Sequence, residues 1–288
     1  MTHATIGVIG GSGLYDMPGL TEREELALDT PFGMPSDVFT IGTLNGQRVA
    51  FLPRHGRGHR LLPSEVPSRA NIYAFKHLGV QRLISVSAVG SLREDLPPGR
   101  MVVPDQLVDR TRGARPSTFF GNGVVAHVAF DQPFCPELRA ALLAAVQATG
   151  QTATDGATLC VMEGPQFSTK AESEFHRRSG FDLIGMTALP EAKLAREAEL
   201  CYGLLALVTD YDCWHPQHAS VTAEAVVQVL QQNVRNAQAV LGALVSRLAE
   251  PRTCACGHAL QTAIMTPAHL IPPDTRQRLA LIIGHYLS

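Results

Sequence analysis

The sequence predicts an α/β fold, a single domain with a mixed central sheet flanked by helices, and three observations predict it. Short β-rich runs alternate with helix-periodic stretches along most of the chain. One of those runs, YGLLALVT at 202–209, is almost continuously apolar, as a strand covered on both faces must be. The stretch 222–248 carries Val226, Leu230, Val234, Ala237, Leu241 and Leu244 at spacings of three and four, the apolar stripe of a helix able to close such a core.

In chain order, 5–9 is an apolar run that breaks into Gly10, Gly11 and Gly13, a buried strand entering a tight loop. Runs 38–44 and 47–52 flank Asn45-Gly46, the two-residue signature of a type I′ hairpin. A helix follows at 68–78, strands at 82–87 and 101–108, and a helix at 136–149. The second half continues with a strand at 156–162, a helix at 170–178, a strand at 182–186, a helix at 190–199, the apolar strand and the long helix. No repeat, low-complexity tract or linker interrupts this series before Glu250. The chain therefore divides into a main domain at 1–250 and a C-terminal extension at 251–288, which is expected to pack on the main domain or on a neighbouring subunit. The extension is apolar enough for two short helices, with Thr275 opening the last and Leu279, Ile282 and Ile283 on one face.

Composition narrows the function classes. Charged residues make up 17% of the 288-residue chain and hydrophobic ones 45%, so some surface is expected to be hidden in a homo-oligomer. With 24 basic and 26 acidic residues the net charge is -2, which excludes the polycationic footprint of nucleic-acid binding and favours a small-molecule partner. No secretory leader and no membrane-length apolar stretch occurs, so a soluble, cytoplasmic protein without a membrane partner is expected. The six cysteines (Cys135, Cys160, Cys201, Cys213, Cys254 and Cys256) suggest reduced thiols rather than a disulfide framework. Cys254, Cys256 and His258 offer three cramped metal ligands with no second cysteine pair near them, whereas a structural site takes four, so free thiols and no metal are expected.

Four loops carry chemistry. GVIGGSGLYD fails the dinucleotide fingerprint, because Asp16 occupies the third glycine position, and no lysine follows as in a phosphate-binding P-loop. What remains is a glycine loop with Ser12, either an ordinary turn or a cradle of N–H groups for one phosphate. Arg54-His55-Gly56-Arg57-Gly58-His59 places cationic and imidazole groups at the end of a strand, and arginine suits bidentate phosphate contacts. Ser85-Val86-Ser87-Ala88-Val89-Gly90-Ser91 ends another strand in hydroxyls and glycine. Three donor-rich loops at strand ends point to an anionic ligand, since open α/β sheets bind ligands at that face. Asp210 and Asp212 follow the apolar strand two residues apart, where alternation would put both on one side of an extended segment. Nothing nearby completes a metal site around them, which leaves acid/base and hydrogen-bond work on a ligand.

In order, IGVIGGSGLYD, DTPFGMPSD, RHGRGH, RANIYAFKHLG, SAVGSLRED, DQLVDRT, PFCPELR, MEGPQFSTKAES, GMTALPEAKLAREAELCY and TDYDCW are the motifs of a known family. Over 5–248 the chain resembles the 5′-methylthioadenosine phosphorylases of the trimeric purine nucleoside phosphorylase group. The resemblance implies a nucleoside phosphorylase-like fold, phosphorolysis of 5′-methylthioadenosine to adenine and 5-methylthioribose 1-phosphate, and a trimer or dimer of trimers. It implies a phosphate site of Ser12, Arg54, His55, Ser87, Ala88 and Thr187, with Ser12 and Ser87 where relatives often carry threonine. It sets Met186 against the ribose, Phe167 and Ser168 beside the base, and Asp210 and Asp212 on the purine. His127 is similar to the histidine a neighbouring subunit contributes beside the 5′ substituent, and Ala223 matches a position shaping the same pocket. Inorganic phosphate is the co-substrate, and no cofactor is implied. Carboxyl groups suit adenine, which offers an exocyclic N–H and needs a ring nitrogen protonated, whereas enzymes for 6-oxopurines or methylthioinosine present asparagine. A 6-oxopurine or methylthioinosine phosphorylase and a nucleoside-binding sensor without turnover are the alternatives.

Overall fold

In a computed structural model of the chain, residues 4–11, 13–113, 115–216, 223–248 and 251–287 are described, with side chains from 232 onward in the long helix. The strands are β1 (Ile6–Gly10), β2 (Thr21–Leu26), β3 (Phe39–Leu44), β4 (Gln47–Pro53), β5 (Arg82–Ser91), β6 (Met101–Val103), β7 (Gln106–Arg110), β8 (Ala153–Asp155), β9 (Thr158–Met162), β10 (Leu183–Gly185) and β11 (Cys201–Asp210). The helices are α1 (Ser68–His77), α2 (Pro136–Ala148), α3 (Lys170–Arg178), α4 (Ala188–Glu197), α5 (Ala223–Val245), α6 (Pro273–Arg278) and α7 (Ala280–Ile283).

All the strands join one mixed sheet in the order β2-β3-β4-β1-β5-β10-β9-β7, with β11 pairing β5 and β6, and β8 pairing β6. Its centre is parallel: β4, β1, β5 and β11 run side by side in one direction. Strand alternation sorts the core into two layers. Tyr202, Leu204, Ala206 and Val208 of β11 meet Ile72 and Phe75 of α1 and Leu189, Ala192 and Ala195 of α4. Cys201, Leu205 and Leu207 of the same strand meet Leu138, Leu142 and Val146 of α2 and Ala237, Leu241 and Leu244 of α5. This is the expected mixed sheet flanked by helices, closed by the predicted long helix. The hairpin turn has positive φ at both Asn45 (48°) and Gly46 (77°), as type I′ requires.

One expected strand is broken and another is shortened. The run 101–108 splits at Pro104, which has no N–H for the ladder; β6 then pairs β11 and β8 while β7 pairs β9. The run 156–162 begins two residues later, because Gly156 turns with φ 79° and separates β8 from β9. The edge strand β2, TEREEL, is exposed nearly throughout, so it lacks the apolar alternation by which a strand is read from sequence. In the extension Thr275 does not open the last helix. Pro273 opens α6 ahead of it, and the Thr275 hydroxyl instead donates to the Asn122 carbonyl at 2.8 Å. Leu260, Ala263, Ile271, Leu279, Ile282 and Ile283 of the extension join the core layer under α1 and α4.

The expectation that Cys254 and Cys256 lack cysteine neighbours is overturned by folding. Cys135 precedes α2 and Cys201 opens β11, and both stand beside the pair from the extension.

Candidate active site

A pocket of about 400 Å³ opens where the parallel strands β4, β1, β5 and β11 end together. Gly11 comes from the loop after β1, Arg54 and His55 from the turn after β4, and Ser87, Ala88 and Gly90 from the end of β5. Met186 and Thr187 follow β10, Asp210 ends β11, and Asp212 lies in the turn after it. Of the residues singled out in the sequence, Arg54, His55, Ser87, Ala88, Phe167, Met186, Thr187, Asp210 and Asp212 line this one cavity. Ser168 lies just behind it, its carbonyl accepting from the Cys213 thiol at 3.3 Å. His127 is exposed and away from the pocket, its backbone N–H donating to Ala263 O at 2.9 Å. Ser12 lies outside the described residues; Ala223 opens α5, with its side chain likewise outside them.

Arg54 is deeply buried, and most of its donors are committed. Nε donates to Glu191 Oε1 at 2.5 Å and Nη1 to Val86 O at 3.1 Å. Nη2 faces Ser85 Oγ at 2.6 Å, Ile9 O at 3.3 Å and Glu191 Oε2 at 3.3 Å. A guanidinium has five N–H groups, so one hydrogen of Nη1 is left for a ligand. The bidentate donor expected from the sequence is thus replaced by a single N–H on a charge already balanced by Glu191. That carboxylate, 1% exposed, also accepts from Ser85 Oγ at 3.2 Å and from the Tyr202 hydroxyl at 2.9 Å.

His55 stacks on His59 with centroids 4.5 Å apart, and its Nδ1 lies 2.8 Å from Leu61 O. Burial, reinforced by the Arg54 charge, lowers its pKa to about 4. The ring is therefore neutral at pH 7, with its proton on Nδ1 facing the carbonyl and a lone pair on Nε2. Beyond it, the Ser87 and Thr187 hydroxyls touch at 2.8 Å across β5 and the start of α4.

The two aspartates reach the pocket by a turn rather than by alternation. Asp212 has φ 51°, a left-handed conformation that Asp tolerates, and its N–H donates to Asp210 Oδ1 at 2.8 Å. A Cβ at Gly90 would stand 3.0 Å from Asp210 Oδ1 and 3.0 Å from Ile184, so the close approach of β5 to the carboxyl requires glycine. Burial raises the pKa of Asp210, against the opposing bonds from Thr209 and the Asp212 N–H, and the Asp212 charge adds to the rise. Burial raises Asp212 too, offset by the hydroxyls of Ser173 and Ser168. Asp212 Oδ2 is buried and accepts no hydrogen bond.

The Thr209 hydroxyl lies 2.6 Å from Asp210 Oδ2 and 3.2 Å from Val89 O. It has one hydrogen to satisfy two acceptors. Both contacts are satisfied when Asp210 Oδ2 carries a proton and donates to Thr209, which then donates to Val89 O. Burial and this shared hydrogen both favour the protonated form of the carboxyl.

Glu191 and Thr209 are the partners that the sequence reading missed. Glu191 had a signal: it is an acid among Leu189, Pro190 and Ala192, on the face of α4 that turns inward. Thr209 had none beyond its place before Asp210.

A family profile described as the phosphorylase superfamily matches residues 5–246. An S-methyl-5′-thioadenosine phosphorylase of Chloroflexus aurantiacus is 64% identical over the whole of both chains. One of Geobacter sulfurreducens is 56% identical over 98% of this chain and 99% of its own. Among solved structures, a methylthioadenosine phosphorylase from an antarctic soil metagenomic library superposes with TM-score 0.94 at 50% identity, covering 98% of this chain and 99% of the other. The methylthioadenosine phosphorylase of Schistosoma mansoni in complex with adenine gives TM-score 0.82 at 33% identity over 98% of each.

Proposed function

Because the chain belongs to the phosphorylase superfamily, we propose that its pocket cleaves 5′-methylthioadenosine with inorganic phosphate, yielding adenine and 5-methylthioribose 1-phosphate. The enzyme is a pentosyltransferase, as are the full-length relatives at 48–64% identity. The observation that carries the reading is the carboxyl pair at the end of β11, both groups lining the one cavity and both raised in pKa by burial.

In the proposed reaction the bond from the anomeric carbon to the purine nitrogen loosens until the sugar resembles an oxocarbenium ion. A phosphate oxygen attacks that carbon from the opposite face. The bonding electrons leave with the purine, whose ring nitrogen takes the proton of Asp210. The Asp212 carboxylate accepts from the exocyclic amine of adenine; the carbonyl of a 6-oxopurine would meet it acceptor to acceptor, which disfavours the alternative substrates. Met186 borders the ribose and Phe167 the base. Ser87, Thr187, the backbone at Ala88 and the free N–H of Arg54 hold the phosphate, with Ser12 completing the cradle. Neutral His55 accepts at Nε2 from the P–OH of hydrogen phosphate. Positioning and fixed dipoles supply the acceleration, so no cofactor or catalytic metal takes part.

The working unit is a homotrimer or dimer of trimers in the cytoplasm, returning adenine and the methylthio sugar to purine and methionine salvage. What supports an oligomer is the exposed His127 beside Val125 and Met265, which are 51% and 61% exposed and joined by a backbone bond of 2.9 Å. There His127 would complete a neighbouring subunit's pocket at the 5′ substituent, a pocket that Ala223 would help to shape. No helix among the described residues is long and apolar enough to cross a membrane.

The test is base release from methylthioadenosine, methylthioinosine, adenosine and inosine, each with and without phosphate. Phosphate-dependent adenine release, fastest from methylthioadenosine, is expected. Preference for an inosine-type substrate would overturn the assignment of Asp212, and binding without release would make the protein a sensor.

A further inference from the structure

Four of the six cysteines are far from the reaction. Asp210 ends β11 and Cys201 begins it, so nine strand steps separate them by about 30 Å. At that far end four sulfurs converge from three parts of the sequence. Cys135 stands at the N-terminus of α2, Cys201 opens β11, and Cys254 and Cys256 flank Ala255 in a short turn of 3₁₀-helix in the extension. The four Sγ atoms all lie within 4.8 Å of one another, and Cys201 and Cys254 approach to 3.2 Å. Zn–S bonds of about 2.3 Å set tetrahedron edges of about 3.8 Å, between those two values. Cys135, Cys201 and Cys256 are at most 4% exposed, so the cluster is closed to solvent on most sides.

We propose that Cys135, Cys201, Cys254 and Cys256 bind one structural zinc ion as a tetrathiolate site that fastens the C-terminal extension to the core. Four sulfur ligands at tetrahedral spacing select a soft divalent cation over magnesium or calcium, which take oxygen. Binding replaces four S–H protons with Zn²⁺, and the resulting centre carries a charge of 2− that needs compensation. Two guanidinium groups supply it: Arg252 Nη1 lies 3.8 Å from Cys201 Sγ, and Arg196 Nη1 lies 4.0 Å from Cys256 Sγ. Gly257 allows the first of these, since a Cβ there would stand 2.7 Å from Arg252 Nη2. The start of α2 adds its positive end beside Cys135. From this anchor the extension runs on to brace the segment holding His127: Met265 N–H donates to Val125 O, and Ala263 O accepts from His127 N–H.

The experiment measures metal in the full-length protein, expressed with zinc in the medium and purified without chelator. Elemental analysis is expected to give about one zinc per chain, as a single tetrathiolate site requires. Cys256→Ser and Cys254→Ser should lose the metal and melt at lower temperature, whereas Cys213→Ser, outside the cluster, should retain it. Should the serine variants fail to fold, cobalt exchange into the wild type is decisive: a tetrahedral Co²⁺ spectrum with sulfur-to-metal charge transfer is expected. Metal-free protein with all cysteines titrating as free thiols, an intact mass lowered by the hydrogens lost to disulfides, or a cobalt form lacking those bands would each overturn the proposal.

Discussion

Asp210 carries the sharpest residue-scale expectation. Asp210→Asn keeps the shape and removes the acid, and kcat on methylthioadenosine should fall about 100-fold, the scale of a positioned proton donor. Because burial raises its pKa, the wild-type rate should hold at low pH and decline as pH rises through that value. In the asparagine variant this alkaline decline should be absent from the pH profile of kcat; a variant with unchanged turnover would remove Asp210 from the acid role. His55 makes a stability statement. Folded, it stays neutral down to about pH 4, whereas unfolded it takes a proton near 6.5, so between those values the unfolded state binds more protons. Its contribution is complete above pH 6.5 and is lost as pH falls to 4. Urea unfolding across that window should cost the wild type roughly 3 kcal/mol more than His55→Gln. Arg54, His55, Ser87, Asp210 and Asp212 were legible because they stand at the ends of apolar runs, whereas Phe167, Met186 and Thr187 came from the family resemblance. The raised pKa of Asp210 followed from its burial in a base pocket, but the lowered one of His55 did not, since it depends on how deeply the folded chain buries the ring beside Arg54.

At the scale of elements, the phosphate side of the pocket depends on how α4 docks against β4 and β5. Glu191 on α4 neutralises Arg54 after β4 and gathers Ser85 of β5 and Tyr202 of β11, so one carboxylate couples three strands to one helix. Glu191→Gln leaves a buried guanidinium without its counter-charge and is expected to destabilise the fold by about 3–5 kcal/mol in denaturant titration. It should also change the KM for phosphate more than that for the nucleoside; equal changes in both would argue against this coupling. Periodicity and end signals placed α1, α2 and α3 to within a residue or so. It failed where the signal is polar or interrupted. The exposed β2 has no buried face to pattern it, Pro104 divides a run whose halves pair different strands, and the turn at Gly156 delays the start of β9.

Across the whole molecule, the extension shares the core with the main domain. Leu260, Leu279, Ile282 and Ile283 are each at most 1% exposed there. Burying such side chains contributes about 1.5–3 kcal/mol apiece, so together they rival the roughly 5–15 kcal/mol that stabilises a typical domain. Truncation after Pro251 should therefore abolish the cooperative melting transition, as calorimetry would report. A truncated chain that melts near the wild-type temperature would contradict this packing. The sequence alone exposed the apolar content of this segment. It did not expose the meeting of Cys254 and Cys256 with Cys135 and Cys201, because chain distance hides a contact that only the closed fold makes. If phosphate itself attacks the sugar, the phosphate must end up bonded to it. Phosphorus NMR of the reaction with methylthioadenosine should show inorganic phosphate converted to a sugar 1-phosphate, mole for mole with adenine. Adenine released with free methylthioribose and unchanged inorganic phosphate would contradict the account.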